Sequence, residues 1–184
     1  MAPIIKGLAP DLQEIKALVN TAQGKEKADI VIKGGNLVNV YTAELLENTS
    51  VAIKGKRIAY FGKNIEPLIG PKTQVIDSSN KVIAPGFIDG HNHLMNYWTV
   101  ENFLKASIPS GTTTIVTETM EMNFCAGYKA ALEFIKSAEN QPIKIFLTVS
   151  PMISISKGAR KRVFDLEAFH KLLRRNSVIG MGEA

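Results

Sequence analysis

The sequence predicts an α/β chain: a parallel sheet with helical crossovers, preceded by a small β-rich layer and an N-terminal helix. Three observations carry this prediction. After Pro85, short β-branched runs alternate with helix-period segments four times over. From Asp29 to Ala84 the chain offers only short apolar runs broken by Gly, Asn and Ser, the pattern of a β-sandwich segment. Before that, apolar residues recur at helical spacing. The expected divisions are residues 1–27 (helix and linker), 28–84 (β-sandwich segment) and 85–184 (four βα units).

Taken in order, Pro10 to about Ala22 read as a helix. Proline suits its first position, Asp11 and Glu14 favour the positive end of the dipole, and Leu12, Ile15 and Val19 share a face. "DIVIKGGNLVNVYT" reads as a hairpin turning at Gly34-Gly35, and "VAIKGKRIAYFG" as a second turning at Lys54-Gly55-Lys56. "TQVIDSSNKVIAPG" adds two short pieces around a Ser-Ser-Asn turn. "GFIDG" then leads into a helix near Thr99–Ile108, and "GTTTIVTE" into one carrying Tyr128, Ala131, Leu132 and Ile135 on a single face. "IKIFLTVS" is a third strand, Asp165 caps a helix with Leu166, Phe169 and Leu172 inward, and "SVIGMGEA" is a fourth strand.

Bulk properties narrow the function classes. With 45% apolar and 21% charged residues the chain is not disordered. No apolar run approaches the roughly 18 residues of a membrane span, so no membrane partner is expected. "MAPIIKGLAPDLQEIK" lacks the apolar core of a signal peptide. The single Cys125 precludes an internal disulfide and fits a reducing compartment, so the cytoplasm is the expected location. Net charge is +5, much of it in Ser156–Arg162 and His170–Arg175. These read as a solvated loop and an exposed helix face, without the interleaved aromatics of a nucleic-acid site.

Four βα units do not close a barrel, whose eight strands take about 250 residues. An open doubly wound sheet closes with four or five strands, but one ending on its own last strand leaves that edge bare. The sequence therefore reads as interrupted.

Two of the three histidines stand in "APGFIDGHNHLMN", at the end of the first strand after Pro85. Residues i and i+2 of a strand point the same way, so His91 and His93 can aim two imidazoles at one point. Neutral imidazole suits borderline divalent metals, and the carboxyl end of a parallel strand is where such folds place chemistry. Asp89, one register step earlier, is the candidate to orient a ligand from behind. The alternative is a surface loop with two incidental histidines.

In this setting "PGFIDGHNH" resembles the signature of the amidohydrolase superfamily. "ADIVIKGGNLVNVYTAEL", "SGTTTIV" and "VIGMGEA" are similar to the opening part of the adenine deaminases. The resemblance implies the first half of a (β/α)8 barrel flanked by a small β-sandwich, incomplete in this chain. It implies that His91 and His93 bind a divalent metal and that Glu183 stands where a bridging ligand is expected. Iron or manganese are the ions it implies, with zinc the alternative. The implied reaction is hydrolysis of adenine to hypoxanthine and ammonia, in purine metabolism, by a protein that forms homo-oligomers when full length.

Two stretches depart from the family pattern. Where hydrophobic-Glu-Ser-Ser is usual, Leu94 is followed by Met95-Asn96-Tyr97. Where Asp-Pro-His-Glu is usual, the chain reads Glu118-Thr119-Met120-Glu121. Methionine moves no proton and is a poor ligand for hard ions, so Met120 is expected to pack. Glu121 is the catalytic candidate and Glu118 a supporting one; the alternatives are a place in the next helix's first turn and a pairing with a surface lysine. Cys125 is expected to be a buried thiol. Two further metal-binding histidines and an acid/base aspartate come from later strands in the family, and His170, on a helix, replaces none of them. Two other readings stay open: an amidohydrolase acting on another cyclic amide or amino-heterocycle, and a non-catalytic fragment completed by a partner chain.

Overall fold

A computed structural model describes residues 9–151, 157–161 and 164–183. The readings made above for residues 1–8, for part of the Ser156–Arg162 loop and for Ala184 lie outside the described residues. The chain divides between Pro85 and Gly86 into two compact units.

The first unit opens with helix α1 (Leu12–Ala22). Asp11, rather than Pro10, begins it: its carboxylate accepts the N–H groups of Gln13 and Glu14, and the Glu14 carboxylate accepts the Asp11 N–H at 3.0 Å. Such a capping box satisfies helix donors that have no partner within the helix. Strands β1 (Ile30–Asn39), β2 (Glu44–Lys54), β3 (Arg57–Gly62), β4 (Gln74–Asp77) and β5 (Val82–Ile83) form one five-stranded sheet in the order β3-β2-β1-β4, with β5 beside the far end of β1. β1–β2 and β2–β3 are antiparallel, whereas β4 and β5 run parallel to β1. The second hairpin turns at Gly55-Lys56 as expected.

The first hairpin does not turn at Gly34-Gly35. β1 runs through both glycines, and the reversal comes at residues 40–43. The glycines mark a break in register instead, with Gly34 at φ 79°. At Gly35 a Cβ would come within 2.9 Å of Ile83 and Ser78, so the parallel partner needs a bare backbone there. A small core of Ala28, Val31, Ala52, Ile65 and Leu68 closes this unit, with a 3-10 turn at Glu66–Leu68.

The second unit is a four-stranded parallel sheet in sequence order: β6 (Phe87–Asn92), β7 (Thr112–Glu118), β8 (Lys144–Val149) and β9 (Val178–Met181). The crossovers are α2 (Val100–Ser107), α3 (Met120–Ala138), and the pair α4 (Lys157–Arg160) and α5 (Leu166–Leu173). Thr99 and Asp165 cap α2 and α5 through the N–H groups of Asn102 and Ala168. Helix α3 is broken at Gly127, whose φ of 71° and ψ of −158° are not helical.

The core lies where the helices meet the sheet: Leu104, Phe134, Ile135, Ile145, Leu147, Val149 and Leu172 are all buried there. β6 and β9 are the outer strands, and Ile88 and Met181 on them stay 69% and 65% exposed. Cys125 is exposed, contrary to the sequence expectation. It stands two residues past the buried Asn123, roughly the far side of a 3.6-residue turn. No described helix is long and apolar enough to cross a membrane.

Candidate metal centre

Because the four strands are parallel, their carboxyl ends bring residues after β6, β7, β8 and β9 to one side of the sheet. The run after Ile88 is polar, and Asp89 secures it. One Asp89 oxygen accepts the backbone N–H of His91 at 3.3 Å, the other the side-chain amide of Asn92 at 2.8 Å. The Asp89 bonds thus go to the main chain of His91 and to the side chain of Asn92, not to an imidazole ring. Beyond His93 the chain enters a 3-10 turn, Leu94–Asn96. Leu94 is buried in the core, and its N–H donates to the Thr117 hydroxyl on β7 at 3.2 Å.

The two imidazoles converge as strand alternation predicted. Their Nε2 atoms are 3.1 Å apart. Glu183, two residues past β9, places Oε1 3.2 Å from His91 Nε2 and 3.7 Å from His93 Nε2. One donor atom from each of the three residues lies within 4.8 Å of the others. Two ligands about 2.1 Å from one ion, at tetrahedral to octahedral angles, stand ~3.0–3.4 Å apart. The 3.1 and 3.2 Å separations fall in this range and the 3.7 Å one lies just beyond it; two imidazole nitrogens and a carboxylate oxygen are a donor set that suits a divalent ion of borderline softness.

Glu121, in the first turn of α3, lies against the other nitrogen of His93. His93 Nδ1 donates to Glu121 Oε1 at 2.6 Å, which leaves the Nε2 lone pair facing His91 and Glu183. Burial alone would lower the His93 pKa; the bond to Glu121 and the charges of Glu121, Glu183 and Glu118 outweigh it, and the net shift is upward.

Glu118, 2% exposed at the end of β7, meets no lysine among the described residues; it accepts the backbone N–H of Glu183 at 3.2 Å. Ser150, just past β8, donates its hydroxyl to the Glu183 carbonyl at 2.6 Å. Met95 packs against the core, Met120 is half-buried at the start of α3, and His170 is exposed on α5. Sequence reasoning missed Thr117, Ser150 and Gly182. The one available signal was their position at strand ends on the side that carries the histidines.

The second unit has the fold of the first four strands of an amidohydrolase barrel. A solved structure of an adenine deaminase superposes with a TM-score of 0.60 at 21% identity, over 84% of this chain and 41% of that one. In sequence, the chain is 36% identical over 183 residues to the adenine deaminase of Staphylothermus marinus, covering 94% of this chain and 30% of the relative. It is 35% identical over 186 residues to that of Moorella thermoacetica, covering 100% of this chain and again 30% of the relative. The chain is therefore similar, along nearly all its length, to the N-terminal portion of adenine deaminases, and it spans about three tenths of their length. No family model matches it.

Proposed function

We propose that this chain carries part of the divalent-metal centre of an adenine deaminase, an enzyme that hydrolyses adenine to hypoxanthine and ammonia. The observation that carries the reading is the meeting of His91, His93 and Glu183, from the first and fourth strands, at one point. Their place in a chain similar to adenine deaminases supports adenine as the substrate. A divalent ion held there supplies water of lowered pKa.

The protein's own groups have distinct tasks. His91 and His93 offer Nε2 and Glu183 offers Oε1. Glu121 keeps the proton on His93 Nδ1, so it is a positioning residue for that ligand. Asp89 holds the backbone between the histidines. The remaining ligands and an acid/base group for the leaving ammonia belong to further βα units of the barrel. Manganese or iron is the proposed ion, with zinc the alternative. The proposed setting is purine metabolism in the cytoplasm, in a homo-oligomer.

The test is a release assay on adenine with this chain joined to the remaining barrel units. Ammonia and hypoxanthine are expected, lost in His91→Ala, His93→Ala and Glu183→Gln. The 184-residue chain alone is expected to bind the ion and to turn over nothing; hypoxanthine from it would overturn the assignment of further ligands to later strands. Met95 and Met120 stand at two departures from the family pattern and favour a second reading, a related cyclic amide or amino-heterocycle. Ring opening without ammonia would support that reading.

A further inference from the structure

The Glu183 carboxylate meets the two histidines only if its main chain is held, and there the chain has already left the sheet. β9 ends at Met181, and the last ladder-like bond runs from the Gly182 N–H to the Val149 carbonyl at 3.0 Å. Beyond it two buried side chains take over. Glu118, from β7, accepts the Glu183 N–H, and Ser150, after β8, donates to the Glu183 carbonyl. They are 2% and 1% exposed. The backbone of one exposed residue is thus gripped on both sides by groups rooted in two neighbouring strands.

Gly182 completes the arrangement. A Cβ at this position would overlap the Glu118 carboxylate, so the space that a side chain would fill is the space the carboxylate occupies. Glu118 is also costly where it stands. It is buried, and its Oε2 has no partner among the described residues. A buried carboxylate with an unsatisfied oxygen destabilises a fold, which argues against a purely stabilising role.

We propose that Glu118 and Ser150 are positioning residues for Glu183, acting through its main chain, and that Gly182 is required because its missing side chain makes room for Glu118. The consequence for metal binding rests on the reading of His91, His93 and Glu183 given above; the grip on the main chain stands independently of any metal.

The experiment uses the 184-residue chain and its variants Glu118→Ala, Glu118→Gln, Ser150→Ala, Gly182→Ala and the double variant Glu118→Ala/Gly182→Ala. Two readouts are taken: hydrogen exchange at the Glu183 amide without metal, and affinity and absorption spectrum with Co²⁺. Glu118→Ala and Gly182→Ala should speed exchange at that amide about tenfold or more, the scale of one lost bond of ~1.4 kcal/mol or more. Glu118→Gln, which keeps an acceptor oxygen, should not.

Glu118→Ala, Ser150→Ala and Gly182→Ala should each weaken Co²⁺ about 10–100-fold, with a changed spectrum, while Glu118→Gln stays near wild type. Gly182→Ala should add little once Glu118 is already alanine. If Gly182→Ala does not fold, the Glu118 pair and Ser150→Ala still decide. An unprotected Glu183 amide in the wild type overturns the inference. So does a Glu118→Gln that loses as much Co²⁺ affinity as Glu118→Ala while the amide stays protected, since Glu118 would then act by charge. Expected exchange behaviour without Glu183-dependent Co²⁺ binding overturns the metal reading and upholds the grip on the main chain.

Discussion

Removing Glu121 tests how His93 is held. The bond it makes is short, 2.6 Å, between side chains 25% and 11% exposed. Loss of the partner behind a metal-bound histidine weakens metal about 10–100-fold, or ~1.4–2.7 kcal/mol. Glu121→Gln keeps an acceptor but loses the charge that strengthens such bonds, and belongs near the lower end. Glu121→Ala loses both and belongs near the upper end.

The proton pulls the other way. Glu121 raises the His93 pKa, and a protonated imidazole binds no metal. Deleting Glu121 leaves burial as the main influence, lowers the pKa, and by itself would strengthen binding near neutral pH. A measured loss therefore reports ring orientation and ligand basicity, the effect proposed here. The assay is calorimetric titration with Mn²⁺ beside an NMR titration of the imidazole protons. An alanine variant that binds Mn²⁺ as tightly as wild type, or more tightly, would refute the assignment.

Three other outcomes concern the fold. Leu147→Ala, at a fully buried position on β8, should cost about 2–5 kcal/mol in urea unfolding. Gly127→Ala forces a Cβ into a backbone region that is essentially glycine's own and should cost about 1–3 kcal/mol by the same measurement. Asp29 has its pKa lowered by the Gly55 N–H, at 2.7 Å, and by Lys54. Its contribution to stability is present above its ordinary value of 3.8 and lost as pH falls through the lower folded value. Asp29→Asn should therefore lower stability at pH 7 and flatten its decline in acid, as followed by thermal unfolding across pH.

Local chemistry made much of this molecule legible in the sequence. Caps such as Asp165, the β-branched run Thr112–Glu118 and the i, i+2 spacing of His91 and His93 act over a few residues, and strand and helix periods express them directly. Glu183 was placed by family resemblance, since nothing near it in the chain points to a histidine 90 residues earlier. Features that depend on a partner strand were misread or missed. Gly34-Gly35 resembles a turn, yet β1 runs on through it, its ladder with β2 slips register there and the Ile83 side chain lies against Gly35, because the same dihedral freedom and bare backbone serve both purposes. Cys125 looked like a core thiol, but the α3 face it lies on is outward. The hold on Glu183 by Glu118 and Ser150 joins residues 65 and 33 positions apart. The sequence alone determined the strand order's raw material and two of the three converging side chains. Only tertiary structure decided which buried groups hold the third, because those bonds exist only once parallel strands set their ends side by side.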